Sequence, residues 1–217
     1  MRLVIIGPPG SGKGTQAKLI CKRFDIPHIS TGDMFRENIS DGSEVGKVAE
    51  KYINQGLLVT DDIVNRMVKE RLSHPDTVKG FLFDGYPRNV DQAEMLKLFL
   101  ADQGNNLNAV INLEISREKL ISRLAGRRIC SNCGASFNVI TNPPKTEGIC
   151  DCCCGNLIQR QDDNVEVAAK RVDVYMKETR PLIDYYRSLL ILHVVDADGP
   201  IEKIFHDICK ILECEVE

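Results

Sequence analysis

The sequence predicts an α/β protein, a doubly wound parallel sheet with a phosphate-binding loop and two smaller inserts. Three observations lead to this prediction: an apolar run that ends in a glycine-rich loop, regular alternation of strand-like and helix-like segments, and two stretches where that alternation stops. With 217 residues, 43% of them hydrophobic, the chain is long enough for one substantial core and small inserted lobes.

The glycine-rich loop runs from Gly7 to Thr15 and is predicted to bind phosphate. It follows the β-branched apolar run 3–6, which reads as a buried strand, and precedes the segment 16–24, which has helix-forming composition. Backbone N–H groups of the loop and the positive end of that helix would then face an anion. The alternative is a glycine-rich turn that binds nothing.

The loop departs from the usual phosphate-loop pattern at one position. Gly7, Gly12 and Lys13 fit Gly-x-x-x-x-Gly-Lys, but Gly14 stands where a magnesium-binding Ser or Thr is usual. The hydroxyl comes one residue later, at Thr15. A magnesium ion would therefore need a group from elsewhere in the chain.

After the first helix, a short strand at 26–30 leads into a helical insert. Either Thr31 or Asp33 is expected to cap the next helix, and either Thr60 or Asp61 is expected to cap the helix that follows the insert. The three helices expected here are 33–39, 44–54 and one that extends to Leu72.

An apolar strand that begins at Gly80 ends abruptly in Asp84 and a run of turn-forming residues. Ligand-binding and catalytic residues tend to lie at the carboxyl ends of parallel strands. Asp84 is therefore a candidate for the group that binds magnesium in place of the absent hydroxyl at position 14. The alternative is a turn aspartate before Gly85. Alternation then continues through helix 90–100, strand 109–113, helix 117–124, helix 165–189, strand 191–195 and helix 201–212.

The second interruption, 127–163, has turn residues, little aliphatic content and a cysteine cluster. Cys130-x2-Cys133 and Cys150-x2-Cys153, separated by sixteen residues, have the spacing of a four-thiolate structural zinc site. The fourth ligand is ambiguous, because Cys152, Cys153 and Cys154 are consecutive. Spacing favours Cys153, whereas the glycine after Cys154 permits a shifted register. Cysteines with no metal, or in disulfides, are a further alternative.

The net charge argues against binding to nucleic acid or membranes, whereas the positions of the arginines indicate binding of phosphate. A net charge of −3 gives no general attraction to nucleic acid or to an acidic membrane. With no signal-peptide core and no apolar stretch of membrane-spanning length, we expect a cytoplasmic protein. Arginines nevertheless recur at loop and helix ends, as phosphoryl transfer requires: Arg36, Arg88, Arg123, Arg127, Arg128, Arg160 and Arg171.

Taken together, these residues resemble the adenylate kinase family, in its long bacterial form with a zinc-bearing lid. The resemblance covers the whole chain and rests on the phosphate loop and on five further motifs: Thr31-Gly32-Asp33-Met34-x-Arg36, Asp84-Gly85-Tyr86-Pro87-Arg88, Gly126-Arg127-Arg128-Ile129-Cys130, Gln159-Arg160-x-Asp162-Asp163 and Lys170-Arg171. Tyr86 replaces the more usual Phe, and Cys154 replaces a glycine expected after the second cysteine pair.

The resemblance implies reversible transfer of a phosphoryl group from MgATP to AMP, giving two ADP. It divides the chain into a core (1–29, 60–126 and 164–217), a nucleoside-monophosphate-binding insert (30–59) and a zinc-binding lid (127–163). Zn²⁺ would be structural, and Mg²⁺ would come with ATP. The expected partners are ATP, AMP and ADP, with no nucleic acid or membrane, and the expected protein is a monomer.

The resemblance also implies roles for residues. ATP would contact Gly10, Ser11, Gly12, Lys13, Gly14, Thr15, Arg123, Arg127, Ser136, Phe137 and Gly199. AMP would contact Thr31, Arg36, Leu57, Leu58, Val59, Gly85, Tyr86, Pro87, Arg88, Gln92, Arg160 and Arg171. The catalytic set would be Lys13, Asp84, Arg88, Arg127, Arg160 and Arg171, and the metal ligands Cys130, Cys133, Cys150 and Cys153.

Two other functions are compatible with the same motifs. One is a kinase for UMP, CMP or GMP, against which the adenine-binding positions argue. The other is a zinc-knuckle module that binds nucleic acid or senses ATP. The acidic net charge and an aromatic content of 6% weigh against this second function.

Overall fold

The computed structural model describes residues 1–214, apart from the side chain of Gln161. Its strands are β1 (Arg2–Ile6), β2 (His28–Ser30), β3 (Phe81–Asp84), β4 (Ala109–Glu114), β5 (Arg127–Cys130), β6 (Ser136–Asn138), β7 (Leu157–Ile158) and β8 (Leu192–Asp196). Its helices are α1 (Lys13–Phe24), α2 (Thr31–Ser40), α3 (Glu44–Ile53), α4 (Asp61–Leu72), α5 (Val90–Asp102), α6 (Arg117–Ala125), α7 (Val165–Val174), α8 (Pro181–Ser188) and α9 (Ile201–Cys214).

The central sheet has five parallel strands in the order β2-β3-β1-β4-β8. Side chains alternate between its two faces, and both faces are covered, which explains the nearly continuous apolar runs in these strands. Val4, Phe83 and Val110 pack with α4, α5 and α8 on one face. Leu3, Leu82 and Ile111 pack with α1 and α9 on the other. The predicted doubly wound α/β class is confirmed.

The predicted long helix over 165–189 is wrong in one respect, because it is divided. A π-helical turn over Tyr175–Thr179 follows α7, and α8 starts afresh at Pro181. Proline lacks a backbone N–H and is accommodated in the first turn of a helix, so it favours a new start here.

Two predicted caps also differ from the structure. Ser30, rather than Thr31 or Asp33, caps α2, and its Oγ accepts a hydrogen bond from the backbone N–H of Asp33 at 3.2 Å. Thr60 precedes α4 as predicted, but its side chain makes no capping hydrogen bond. Helix α1 begins at Lys13, three residues before the predicted start, so the end of the phosphate loop is itself helical.

The two inserts have different architectures. Helices α2 and α3 lie between β2 and α4 in the chain, and they pack against each other. The cysteine-rich segment forms a separate antiparallel sheet in the order β6-β5-β7, whose strands the sequence did not predict. Its only described core cluster is small, centred on Cys130, Phe137 and Cys150. Within residues 1–214, no helix combines the length and the apolar character needed to cross a membrane.

Candidate active site

One large cleft, of about 750 Å³, lies at the carboxyl ends of β1 and β3, between the two inserts. The phosphate loop forms its floor, and residues of α2, the 56–59 segment and the antiparallel sheet line its sides. This is the edge at which open parallel sheets bind ligands.

The phosphate loop has the backbone conformation that its glycines were expected to provide. Gly10 and Gly12 have φ values of 87° and 95°, in the left-handed region that other residues rarely adopt. A Cβ at Gly10 would also lie 2.9 Å from the carbonyl oxygen of Leu120. The loop therefore leads directly into the N-terminus of α1, where unpaired N–H groups attract anions.

Lys13 folds back over this loop. Its Nζ donates hydrogen bonds to the carbonyl oxygens of Gly7 and Pro8, at 2.7 and 2.9 Å. The pKa of Lys13 is lowered to about 7, mainly by burial; the charge of Asp84 opposes this shift, and the nearby cations Arg88 and Arg171 add to it. An anion bound in the loop would restore the proton to this amine.

Asp84 occupies the space that Gly14 leaves open. A Cβ at position 14 would lie 3.3 Å from Asp84 Oδ2, so the missing side chain allows the close approach of this carboxylate. His28 Nε2 lies 3.5 Å from the same oxygen. Burial alone would raise the pKa of Asp84, but the adjacent His28 and the charge of Lys13 hold it below its ordinary value. Asp84 is therefore an anion at the end of β3.

Two arginines of the cleft are held by one buried carboxylate. Arg127 donates to both oxygens of Asp163, at 2.7 and 2.5 Å, and Arg171 Nη1 donates to Asp163 Oδ1 at 3.0 Å. Asp163 is fully buried. Arg171 also pairs with Asp162 at 2.8 Å. These bonds fix the direction in which both guanidinium groups enter the cleft.

Other cleft arginines have few partners. Arg160 Nε is buried and has no hydrogen-bond acceptor, and its Nη2 lies 3.9 Å from Asp33. Arg88 Nε donates to the carbonyl oxygen of Gly85 at 2.9 Å. Burial, followed by neighbouring cations, lowers the pKa of both Arg88 and Arg160 to about 10. Such crowding of partly desolvated cations favours a multiply charged anion as the ligand.

The opposite end of the cleft combines a few buried polar groups with apolar side chains. Thr31 Oγ1 donates to the carbonyl oxygen of Gly85 at 2.8 Å, and a Cβ on Gly85 would lie only 3.0 Å from that hydroxyl. Gln92 is buried, and its Oε1 accepts from the backbone N–H of Arg88 at 2.8 Å. Apolar contact comes from Leu57, Leu58 and Val59.

The structure brings nearly all the predicted nucleotide-binding residues to this cleft. They are Gly10, Ser11, Gly12, Lys13, Gly14, Thr15, Thr31, Arg36, Leu57, Leu58, Val59, Asp84, Gly85, Pro87, Arg88, Gln92, Arg123, Arg127, Ser136, Phe137, Arg160, Arg171 and Gly199. Tyr86 is the exception. Its ring is buried against Phe83, and its hydroxyl donates to Asn65 Oδ1 at 2.8 Å, so it lies beside the cleft and supports it.

Some residues that shape the site escaped the sequence reasoning. His28 had no assigned role although it lies beside Asp84, and Asp61 was considered only as a helix cap although it contacts Gln92. Asp163 appeared within a motif but without a function. Asp163 stands three residues after Arg160, but its partners are the more distant Arg127 and Arg171, so its position in the sequence gave no signal of the pairing.

The four predicted cysteine ligands converge in the second insert. The sulfur atoms of Cys130, Cys133, Cys150 and Cys153 all lie within 4.8 Å of one another. Tetrahedral coordination at about 2.3 Å places sulfurs roughly 3.8 Å apart, so this group is compatible with a metal ion. Backbone N–H groups of Cys133 and Asn132 point at the Cys130 sulfur and lower its pKa to about 6, which favours the thiolate.

The two halves of this cysteine site have the same turn. The backbone N–H of Gly134 donates to the carbonyl oxygen of Cys130, and that of Cys154 donates to the carbonyl oxygen of Cys150. Gly134 has a φ of 66°, and Cys154 has a φ of 59°. Cys154 is exposed and lies outside the group of four sulfurs. A cysteine therefore occupies a left-handed position that suits glycine.

Comparison with known proteins gives a consistent result over the full chain. The family model for adenylate kinase matches residues 5–190. An adenylate kinase of Caldanaerobacter subterraneus subsp. tengcongensis is 54% identical over 98% of this chain and 96% of that protein. Adenylate kinases of Clostridioides difficile and Caldicellulosiruptor bescii are each 50% identical, covering 98% and 99% of this chain and 98% and 100% of their own lengths.

Cys154→Gly is expected to stabilise the cysteine-rich insert, because it removes the strain of a side chain at positive φ. The gain should be about 1 kcal/mol, measured as resistance to proteolysis or to denaturant within this insert. The matched control is Gly134→Ala, which creates the same strain in the other turn. It should lower stability by a similar amount, and an opposite sign in either variant would contradict the strain argument.

Proposed function

This chain belongs to the adenylate kinase family, and we infer that it transfers a phosphoryl group reversibly between ATP and AMP, giving two ADP. The observation that carries this inference from the site itself is the crowding of cations in one cleft. Lys13, Arg88, Arg127, Arg160 and Arg171 come from five separate segments and all reach the same space.

Phosphoryl transfer needs this arrangement because charge spreads over the oxygens of the transferring group. Cations fixed in advance stabilise that charge without reorganising during the reaction. The reaction needs no protein nucleophile if the two nucleotides are held in line. We therefore assign catalysis to Lys13, Asp84, Arg88, Arg127, Arg160 and Arg171.

We propose that ATP binds over the phosphate loop. The backbone of Gly10–Thr15 would hold its phosphates, with Lys13 on the transferring group. Arg123, whose Nη1 donates to the carbonyl oxygen of Ala197, and Gly199 lie at the far wall, where the base of ATP would sit. Ser136 and Phe137 would cover it from the lid.

We propose that AMP binds at the other end of the cleft. Arg36 and Arg88 would hold its phosphate, and Leu57, Leu58 and Val59 would pack against its base. Thr31 and Gln92 offer polar groups at the buried end. Arg160 and Arg171 lie where they can contact both phosphate groups, so they would join the two substrates.

Magnesium would enter with ATP, and Asp84 is the residue whose chemistry fits it. Its anionic carboxylate lies beside Gly14, the position that usually supplies the metal-binding hydroxyl. When bound, the ion would neutralise charge on the phosphates. His28 would keep Asp84 ionised and oriented.

We propose that the metal of the four cysteines is structural zinc. All four positions are occupied by thiols, which leaves no open coordination site, and the small cluster around Phe137 is too limited to hold the insert alone. The insert 127–163 would then move as one rigid lid over ATP, with 30–59 as the AMP-binding insert and the remainder as the core. We further propose a monomeric cytoplasmic enzyme that acts on small nucleotides.

The acceptor specificity of the enzyme can be measured directly. With MgATP and AMP, we expect rapid formation of two ADP in a coupled assay, and much slower reaction with UMP, CMP or GMP. The reason is the pair of polar side chains, Thr31 and Gln92, at the buried end of the cleft where we propose that the base of the acceptor binds. A clear preference for another monophosphate would overturn the assignment.

Nucleotide binding is expected to take up a proton at about pH 8, because the pKa of Lys13 is about 7 in the free protein and rises when phosphate replaces its carbonyl partners. Below about pH 6, Lys13 is already protonated in both states, so uptake should vanish. Calorimetry with MgATP in buffers of different ionisation enthalpy measures it. Lys13→Arg is the control, because guanidinium keeps its proton throughout and should abolish the uptake. Equal uptake in both proteins would contradict the assignment.

Metal analysis should find about one zinc per chain. Cys130→Ser should lose most of it and make the lid sensitive to proteolysis, because three thiolates hold Zn²⁺ less tightly than four. Cys152→Ser is the matched control, since Cys152 is exposed and outside the group of four. Loss of zinc from this control, or retention by Cys130→Ser, would show that the ligand set is different.

A further inference from the structure

The side-chain amide of Gln92 is held at both of its ends by the protein. Its Oε1 accepts from the backbone N–H of Arg88 at 2.8 Å, and its Nε2 donates to Asp61 Oδ1 at 2.7 Å. A carboxylate only accepts hydrogen bonds from amides, and a backbone N–H only donates them. Turning the amide over would place oxygen against oxygen at Asp61 and donor against donor at Arg88. The orientation of Gln92 is therefore fixed.

This fixed amide has a definite capacity left for a ligand. A glutamine amide has two acceptor sites on oxygen and two N–H donors on nitrogen, and the protein uses one of each. One acceptor and one donor remain on a buried side chain that lines the cleft. They match the N6 amino group and the N1 acceptor of adenine, the kind of paired contact by which glutamine recognises that base.

A 6-oxopurine presents the reverse pattern, because its O6 accepts and its N1–H donates. It would pair well only with an inverted Gln92 amide. Binding it to the observed orientation would set acceptor against acceptor and donor against donor in a buried site, where unpaired polar groups are costly.

We propose that Asp61 is a positioning residue that makes the acceptor site selective for 6-aminopurines over 6-oxopurines. It acts through Gln92, since it lies outside the lining of the cleft and does not contact the substrate. This proposal deepens the proposed function, because it rests on AMP binding beside Gln92.

Asp61 is itself held in place. It is the first residue of α4, where the helix end favours a negative charge. Asn89 Nδ2 donates to both of its carboxylate oxygens, at 3.1 and 3.0 Å. Asn89 also caps α5, and its Oδ1 accepts from the backbone N–H of Gln92 at 2.8 Å. The carboxylate and the amide that it orients therefore share one anchor.

The test compares AMP with inosine monophosphate, which differs only in the 6-oxo group and the N1 proton. Asp61→Asn preserves size but offers either a donor or an acceptor, so it removes one of the two contacts that fix Gln92 and leaves only the N–H of Arg88 to oppose the inverted amide. We expect the ratio of kcat/KM for AMP to that for inosine monophosphate to fall about tenfold, with the KM for ATP unchanged. Calorimetric Kd values for the two monophosphates without ATP should show the same fall.

A second variant and a control separate this role from general stability. Asn89→Ser retains a capping oxygen for α5 but no longer donates to Asp61, so it should lower the ratio in the same direction. Asp62→Asn removes the neighbouring charge from the same helix turn. Asp62 is exposed and makes no hydrogen bond or ion pair within residues 1–214, so this variant should leave the ratio unchanged.

Each outcome has one meaning. If the wild type discriminates between the two monophosphates and both Asp61→Asn and Asn89→Ser keep its ratio, the proposal is wrong while the proposed function stands. An equal loss of activity on both monophosphates, with a lower unfolding midpoint, would assign Asp61 a structural role and also overturn it. Failure of the wild type to phosphorylate AMP would instead refute the proposed function.

Discussion

The buried carboxylate of Asp163 determines where the cleft places much of its positive charge. It pairs with Arg127, the first residue of β5, and with Arg171, which lies on α7 beyond the end of the antiparallel sheet. One anion thus joins the beginning of the lid segment to the helix that follows it. Asp163 does not line the cleft, so a ligand would meet the two guanidinium groups and not their partner. Removing one member of such a buried pair costs roughly 3 to 5 kcal/mol, which explains why the geometry is fixed before any ligand arrives.

Structural features that depend on a short stretch of sequence were predicted correctly. The phosphate loop, the paired cysteines and the apolar strands of the central sheet each depend on neighbours a few residues apart, where backbone conformation and periodicity decide the outcome. Features that depend on distant partners were missed. Gln92 and Asp61 are separated by 31 residues, and only the packing of α4 against α5 brings them together. The prediction of the α2 cap failed for a more local reason, because three residues within one short stretch, Ser30, Thr31 and Asp33, all have a side-chain oxygen that can cap a helix.

The cysteine-rich insert shows how little apolar surface a small inserted lobe can contain. Its strands are short, and its described core consists mainly of thiols and one phenylalanine ring. Strand signals were weak in the sequence for the same reason, since a sheet organised around sulfur needs few β-branched residues. Metal ligation can supply the folding free energy that such a lobe lacks, so the lobe does not need to pack an apolar face against the central domain.

Gly14 shows that a cation ligand usually supplied by the phosphate loop can be supplied by another element of the fold. A side chain there would compete with Asp84 for the same space, since even a Cβ would lie 3.3 Å from the carboxylate. The oxygen that would serve a cation lies not in the loop but at the end of a strand whose backbone is paired on both sides, with β1 and β2. The consequence is that the two tasks would be separated: the loop would bind phosphate, while the sheet would fix the position of the cation.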